Sequence, residues 1–453
     1  MMDASAFDQV AESFAAFHRR FAPLFGRPEA QDRSEQYLRG LLVQHAERRN
    51  AENLAEAVGG ISPRALQRLL TEAPWSTERV RDRLQAFLAE RLNATDGAFV
   101  LDDTGFAKQG TRSVGVARQY SGTLGKVGNC QVGVFLGYAS ARGHALVDAA
   151  LFLPREWTDA PARCAAAGVP AEVTYHAKPA LGLALLRQAR ATGALQSRWV
   201  TADEGYGEVP SFRDALEADG WWYVLEVPRT TRVFTTAALT AVPPWSGRGR
   251  KPTRARLVDG AAPAQAVEAL AAALPATAWQ TLTVAEGAQG PRTYQFAAQR
   301  GWESRDGLPG RPTWVVWRRN RDGSEVKHYL SNAPADTPLG TLGRVGALRW
   351  TIETGFEQAK GEAGLDEYEV RSWPGWYHHS YLVLLASAFL LQLRQEWGEN
   401  RPPGTDHPPG EPGPARMPAP PALDARRPIR LAARDAAPQC LRQAGAPAPP
   451  PAA

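Results

Sequence analysis

Phe99-Val100-Leu101-Asp102-Asp103-Thr104-Gly105 joins a short apolar run to two adjacent acids and a turn-like Thr-Gly pair. Read as a strand that ends in carboxylates, it sets the reading of its neighbours. Downstream, Gln131 to Tyr138 (QVGVFLGY) and Ala145 to Leu153 (ALVDAALFL) are further strand-length apolar runs. Pro179 to Leu195 puts Leu181, Leu185 and Leu186 on one helical face. Trp199 to Ala202 reads as the next strand and closes on Asp203. Val209 to Asp219 reads as a helix, and Trp221 to Val227 (WWYVLEV) as a buried strand.

The order is three strands, helix, strand, helix, strand. It predicts an α/β protein with a ribonuclease-H-like core, antiparallel strands first and parallel crossovers after. From Pro228 the texture changes to short β-like stretches among Gly, Pro and Arg loops: Trp279 to Val284, Thr293 to Ala297, Thr313 to Trp317 and Val326 to Leu330. A long helix, Leu342 to Lys360, and an apolar helix, Tyr381 to Leu393, follow. Upstream, Ala51 to Val58 ends at Gly59-Gly60, and Ser62-Pro63 opens a second helix, the outline of a helix-turn-helix or of a supporting bundle. The expected layout is a helical, DNA-binding domain at 1–95 and the first part of the core at 96–227. A β-rich basic insertion at 228–335 and the remaining core helices at 336–398 follow. The last unit, 399–453, reads as a Pro/Ala-rich disordered tail, because Arg401 to Ala453 holds 15 Pro and 13 Ala.

Composition narrows the function. The 453 residues are 44% hydrophobic and 22% charged, ordinary for a globular chain. Cys130, Cys164 and Cys440 are scattered, with no CxxC pair, so neither a disulfide framework nor a zinc ribbon is predicted. No signal peptide opens the chain, and the longest apolar run, Tyr381 to Leu391, is shorter than the about 20 residues a bilayer requires. A cytoplasmic, nucleoid-associated protein with no membrane partner is expected. Net charge is +5, yet Arg229 to Lys327 alone carries 15 Lys/Arg against 7 Asp/Glu. A basic segment in a near-neutral chain suggests contact with a polyanion, or an Arg-rich solvated face.

Three acids stand out. Asp103 and Asp203 each follow an apolar strand, and Glu353 lies in a helical stretch. The alternatives at each strand end are Asp102, and Glu204 or Glu208. Adjacent strand residues face opposite sides, so only one of Asp102 and Asp103 should point inward. Carboxylates gathered this way suit two-metal phosphoryl transfer, in which Mg²⁺ or Mn²⁺ ions take oxygen ligands. The bland reading is a turn cap. Arg349, Glu353 and Lys360 share one broad helical face; the two cations could grip phosphate, or form a surface ion-pair ladder. Gly122-Thr123-Leu124-Gly125-Lys126 lacks the first Gly and the Ser/Thr of a P-loop.

The run Arg349-Trp350-Thr351-Ile352-Glu353…Lys360 resembles the R-x3-E-x6-K part of the Y-R-E-K signature of bacterial insertion-sequence DDE transposases. Asp103 to Gly110 with Gln119-Tyr120-Ser121-Gly122, Val200 to Gly207, and Tyr368 to His379 resemble other blocks of the same family, in order, over about Phe99 to Leu393. The resemblance implies a metal-binding catalytic triad of Asp103, Asp203 and Glu353, two Mg²⁺ (or Mn²⁺) ions, and DNA contacts from Arg349 and Lys360. It implies a base-stacking tryptophan in the insertion, for which Trp314 and Trp317, beside Arg318 and Arg319, are the candidates; ordinary β-domain core is the alternative for each. The signature's tyrosine position is occupied by Gly346. The implied partners are double-stranded DNA, as inverted-repeat ends and target, and a second copy of the chain on that DNA. A catalytically silent DNA-binding regulator and a stand-alone ribonuclease-H-like nuclease are the alternatives.

Overall fold

The computed structural model describes residues 4–43, 48–287 and 290–399. The predicted tail therefore lies, apart from its first residue, outside the described residues. Five helices open the chain: α1 (Ala4–Arg19), α2 (Pro28–Leu42), α3 (Ala51–Val58), α4 (Pro63–Thr71) and α5 (Thr77–Leu92). Ser62 caps α4 as its sequence predicts, its hydroxyl accepting from the Ala65 N–H at 3.3 Å, with Pro63 in the first turn.

Strands β1 (Ala98–Ala107), β2 (Ala117–Ser121), β3 (Lys126–Ser140) and β4 (Gly143–Phe152) come next, then α6 (Arg155–Thr158), α7 (Pro161–Ala166) and α8 (Lys178–Thr192). The alternation continues with β5 (Trp199–Ala202), α9 (Glu204–Gly207), α10 (Pro210–Ala218) and β6 (Trp222–Glu226). β1 pairs antiparallel with β3, and β3 with β4; β1, β5 and β6 are parallel neighbours. Crossovers through helices make parallel neighbours possible, because a tight hairpin cannot return the chain in the same direction.

The next segment holds β7 (Arg232–Phe234), β8 (Thr240–Ala241), β9 (Arg256–Leu257), β10 (Gln265–Ala266), α11 (Val267–Ala273), β11 (Gln280–Gly287), β12 (Gly290–Arg305), β13 (Leu308–Arg319) and β14 (Val326–Ser331). Apart from β8 and β9, its strands extend the same sheet. β14 pairs antiparallel with β6 through Tyr329↔Glu226 and Leu330↔Leu225, giving the order β10-β7-β12-β13-β14-β6-β5-β1-β3-β2. β11 and β4 attach to β12 and β3, completing a twelve-stranded mixed sheet.

Two elements depart from the sequence reading. β1 runs on through Asp102 and Asp103 to Ala107, so the Asp-Thr-Gly is strand and not turn. Its pairing with β3 continues to Ala107↔Cys130, and that ladder outweighs local turn preference. The single helix read over Leu342 to Lys360 is two, α12 (Leu339–Ala347) and α13 (Arg349–Ala363), broken at Leu348. The last helix, α14 (Trp373–Glu399), contains the apolar run and is far longer than it. Among the described residues no helix is long and apolar enough to cross a membrane.

α14 is nearly all core. Phe389 meets the rings of Phe14 and Phe17 with centroids 5.3 Å apart, and Tyr37 bonds His379 Nδ1 at 2.8 Å. The N-terminal helices thus share one apolar core with the sheet. Each large side chain buried there contributes about 1.5–3 kcal/mol.

Candidate active site

β5 stops pairing with β1 at Leu101↔Ala202. Beyond that point β1 continues alone on this side, so Asp102 and Asp103 stand where a neighbouring strand has ended and Asp203 begins. Asp203 caps the short α9, its carboxylate accepting from the Tyr206 N–H at 3.4 Å. The loop is pressed hard onto β6: a Cβ at Gly207 would lie 1.8 Å from the Glu226 carbonyl oxygen, so only glycine fits. This contact brings the end of β6, and with it Glu226, beside Asp203.

Strand alternation then sorts the paired acids. Asp103 shares a face with Leu101, against α8, and accepts from Lys178 Nζ at 2.7 Å. Asp102 shares the opposite face with Thr104, against α13. It is 9% exposed and accepts from Arg349 Nη1 at 3.2 Å. This differs from the expectation for Asp103. The acid on the Glu353 helix's side of the sheet is Asp102, and the reason is the one-residue parity of an extended strand.

Arg349 is the hub of the site. Besides Asp102 it meets Glu353 on its own helix at 2.5 Å, across one turn, and Glu226 at 3.5 Å. The Glu353 side chain is half exposed. Glu226 is buried and is also paired with Lys327 of β14 at 2.7 Å. Lys360, at the far end of α13, donates to Thr104 Oγ1 at 2.8 Å and Thr123 Oγ1 at 3.1 Å. Its aliphatic stem is covered, and burial lowers the ammonium's pKa.

The electrostatics follow from burial and like charge. Burial, then the Asp203 carboxylate, push Asp102 up to about 8 against the pull of Arg349. Asp203 is raised by burial and by Asp103, with Arg349 opposing. Every acidic donor offers oxygen, the type that hard divalent ions prefer, so the donor set fits such an ion in kind. Among the described residues no three acidic, His or Cys side chains already stand as a metal cage. Lys178 and Arg349 neutralise the carboxylates instead.

The aromatic candidates separate. Trp317 is fully buried and donates its indole N–H to the Val267 carbonyl at 2.9 Å. That corrects its expected role, since no ring face is left for a base. Trp314 points the other way, three residues along the strand; it is half-buried and donates to the Pro334 carbonyl at 3.0 Å. Arg318 lies over the Tyr294 ring at 4.5 Å, and Arg319 over Trp279 at 4.0 Å. Gly346, where the signature has tyrosine, is buried: a Cβ there would lie 3.1 Å from Val224 Cγ1 and 3.5 Å from the Tyr329 ring. Tyr329 of β14 fills the space a residue 346 side chain would use.

Sequence reasoning did not single out Glu226 or Lys178. Glu226 had a usable signal, since it closes an apolar parallel strand just as Asp203 does. Lys178 had none, because its role depends on where α8 crosses β1.

A family model described as DDE superfamily endonuclease matches residues 20–291. A curated relative, "Probable transposase for insertion sequence element IS701" from Microchaete diplosiphon, is 28% identical over 177 residues. That match takes in 38% of this chain and 42% of the relative, so the chain spans less than half the relative's length. Among solved structures, a piggyBac transposase synaptic complex with hairpin DNA aligns at 10% identity and a TM-score of 0.37, covering 82% of this chain and 66% of that one.

Proposed function

The chain belongs to the DDE superfamily endonucleases, and on that premise we propose that it is a transposase, cutting and joining DNA at the ends of an insertion sequence. The observation that carries the reading is the charge cluster at the ends of β1, β5 and β6, tied by Arg349 to Glu353 on α13. Three carboxylates within ion-pair reach of one guanidinium, with Asp203 acting on it from farther off, is an arrangement that folding alone has no need of. The strand order β4-β3-β1-β5-β6, antiparallel then parallel, supports a ribonuclease-H-like core with the 228–335 segment as its β-rich insertion.

Asp203, Glu353 and one of the adjacent pair Asp102–Asp103 would hold two divalent ions, Mg²⁺ or Mn²⁺. Asp103 is the choice by family resemblance, and Asp102 the choice by sheet face. Such ions supply an activated water and a clamp on the attacking and leaving oxygens of an in-line displacement. The protein's own part is positional. Arg349 balances the acids at rest and offers its fork to a phosphate; Lys360, held by Thr104 and Thr123, adds a point charge on the same helix. Trp314, Arg318 and Arg319 would meet the DNA end from the insertion. The 1–95 helices would bind the inverted repeats, and a dimer on DNA would bring two ends together in a nucleoid-associated, cytoplasmic complex.

Cleavage of a duplex carrying the element's end, with Mg²⁺ or Mn²⁺, tests this directly. Nicks and joined products are expected from the wild-type chain. Intact cleavage by Asp203→Asn or Glu353→Gln would remove these residues from the chemistry. DNA binding with no strand break under any divalent metal would make the protein a silent regulator.

A further inference from the structure

Between β8 and β9 the chain reads Val242-Pro243-Pro244-Trp245-Ser246-Gly247-Arg248-Gly249-Arg250-Lys251-Pro252-Thr253-Arg254-Ala255. The two strands pair antiparallel as a two-stranded ribbon apart from the main sheet, so the segment projects as a long hairpin loop. Arg248, Arg250, Lys251, Arg254 and Arg256 are all exposed. Among the described residues none of the five side chains has an ion-pair or hydrogen-bond partner. Other cations of the insertion do: Arg229 meets Glu268 at 3.1 Å, Arg305 meets Asp214 at 2.9 Å, and Lys327 meets Glu226. The loop is a concentration of unspent positive charge.

Its backbone is as particular as its charge. Gly247 and Gly249 take positive φ, +80° and +69°, and a Cβ on either would touch nothing within 4 Å. The glycines therefore serve the turn and the loop's slimness, not packing. The exposed Trp245 donates its indole N–H to the Gly249 carbonyl at 3.2 Å, bracing the Arg-Gly-Arg tip.

We propose that the Arg248-Gly249-Arg250 tip enters the minor groove of A·T-rich duplex DNA; this rests on the reading above that duplex DNA is the partner. The minor groove is about 6 Å wide, and narrower and more negative over A·T tracts, where it draws in arginine. A backbone without side chains at Gly247 and Gly249 can lie between its walls while the two guanidiniums follow the floor. Guanine's 2-amino group projects from that floor and obstructs the same path, so G·C pairs are disfavoured. An RNA duplex presents a wide, shallow minor groove and gives this tip no grip.

The test is fluorescence anisotropy of the full chain, metal-free, on duplexes of equal length. An A·T tract is expected to bind roughly tenfold tighter than G·C. Replacing guanine by inosine removes the 2-amino group and leaves the major-groove pattern, so the I·C duplex should bind like A·T. Arg248→Gln with Arg250→Gln should abolish the preference and reduce the log-affinity against log-salt slope by about 2. Because neither side chain contacts the fold, an unchanged melting curve is expected. Equal binding of A·T and G·C, an I·C duplex that behaves like G·C, a double variant that keeps the preference, or tight RNA-duplex binding would each overturn the proposal. The two readings fail separately. An A·T preference in a chain that never cuts sinks the transposase reading and leaves the groove contact standing; cutting without the preference does the reverse.

Discussion

Two buried acidic regions lie on the same sheet and are built differently. Asp148 on β4 is 1% exposed and forms no ion pair, with Arg81 and Asp82 acting on it only from farther off. Its Oδ1 accepts from Tyr381 Oη at 2.6 Å and the Ala149 N–H at 2.8 Å, and burial pushes its carboxyl up to about 6. The Asp102 region is also buried, yet it gathers Asp203, Glu226 and Glu353 around Arg349 at the open ends of three parallel strands. Asp148 has no ion-pair partner and is met by a hydroxyl; the acids of the proposed site are crowded with like charge. Desolvation is common to both, so a raised pKa alone does not mark a site. Company and position at the strand ends do.

The comparison breaks most visibly in cleavage. Asp203→Asn, Glu353→Gln and Asp102→Asn should each lower end-cleavage rates by roughly 10³-fold, since each removes several kcal/mol of charge stabilisation. Asp148→Asn should leave the rate close to wild type in the same assay. Within the adjacent pair, Asp102→Asn should cost at least about tenfold more than Asp103→Asn. Equal losses would show that sheet face does not choose between them.

Metal binding sharpens the contrast by a readout free of catalysis. Saturating Mg²⁺, about a hundred times Kd, should raise folding stability by about 2.7 kcal/mol in the wild type. A melting-temperature series should show that gain in Asp148→Asn and lose it in Asp203→Asn.

The smallest effect is in pH. Asp148 has a folded pKa of about 6 against an ordinary value of 3.8, so it favours the folded state fully below about pH 4 and loses that contribution as pH rises through 6. Asp148→Asn should therefore flatten the stability curve over that window and be more stable than wild type at pH 8 by on the order of 1–3 kcal/mol, read by denaturant unfolding. Asp102→Asn, measured without metal, should extend the same flattening toward pH 8. A stability difference between wild type and Asp148→Asn that stays constant from pH 4 to 7 would show that Asp148 titrates as an ordinary, solvated carboxylate.

Much of this molecule was legible along the chain. Apolar runs of strand length marked β5 and β6 nearly to the residue, because strands buried on both faces read as continuous hydrophobic stretches. Ser62-Pro63 marked a helix start, since capping is chemistry between residues three apart. Asp203, Glu353, Arg349 and Lys360 stood out by pattern. The break at Leu348 escaped notice because helical periodicity continues across it. The course of β1 through Asp-Thr-Gly escaped because its partner strand begins nearly twenty residues later.

Sequence alone determined the element types, the family resemblance, the acids to consider and the basic character of the insertion, all of them properties of local pattern. Only the tertiary structure decided that Asp102 and not Asp103 faces α13, that Glu226 and Lys178 join the cluster, that Trp317 is core, and that five cationic side chains of one hairpin have no partner among the described residues. Those outcomes depend on which faces meet across a sheet and on which charges find partners distant along the chain, and no stretch of sequence carries that information by itself.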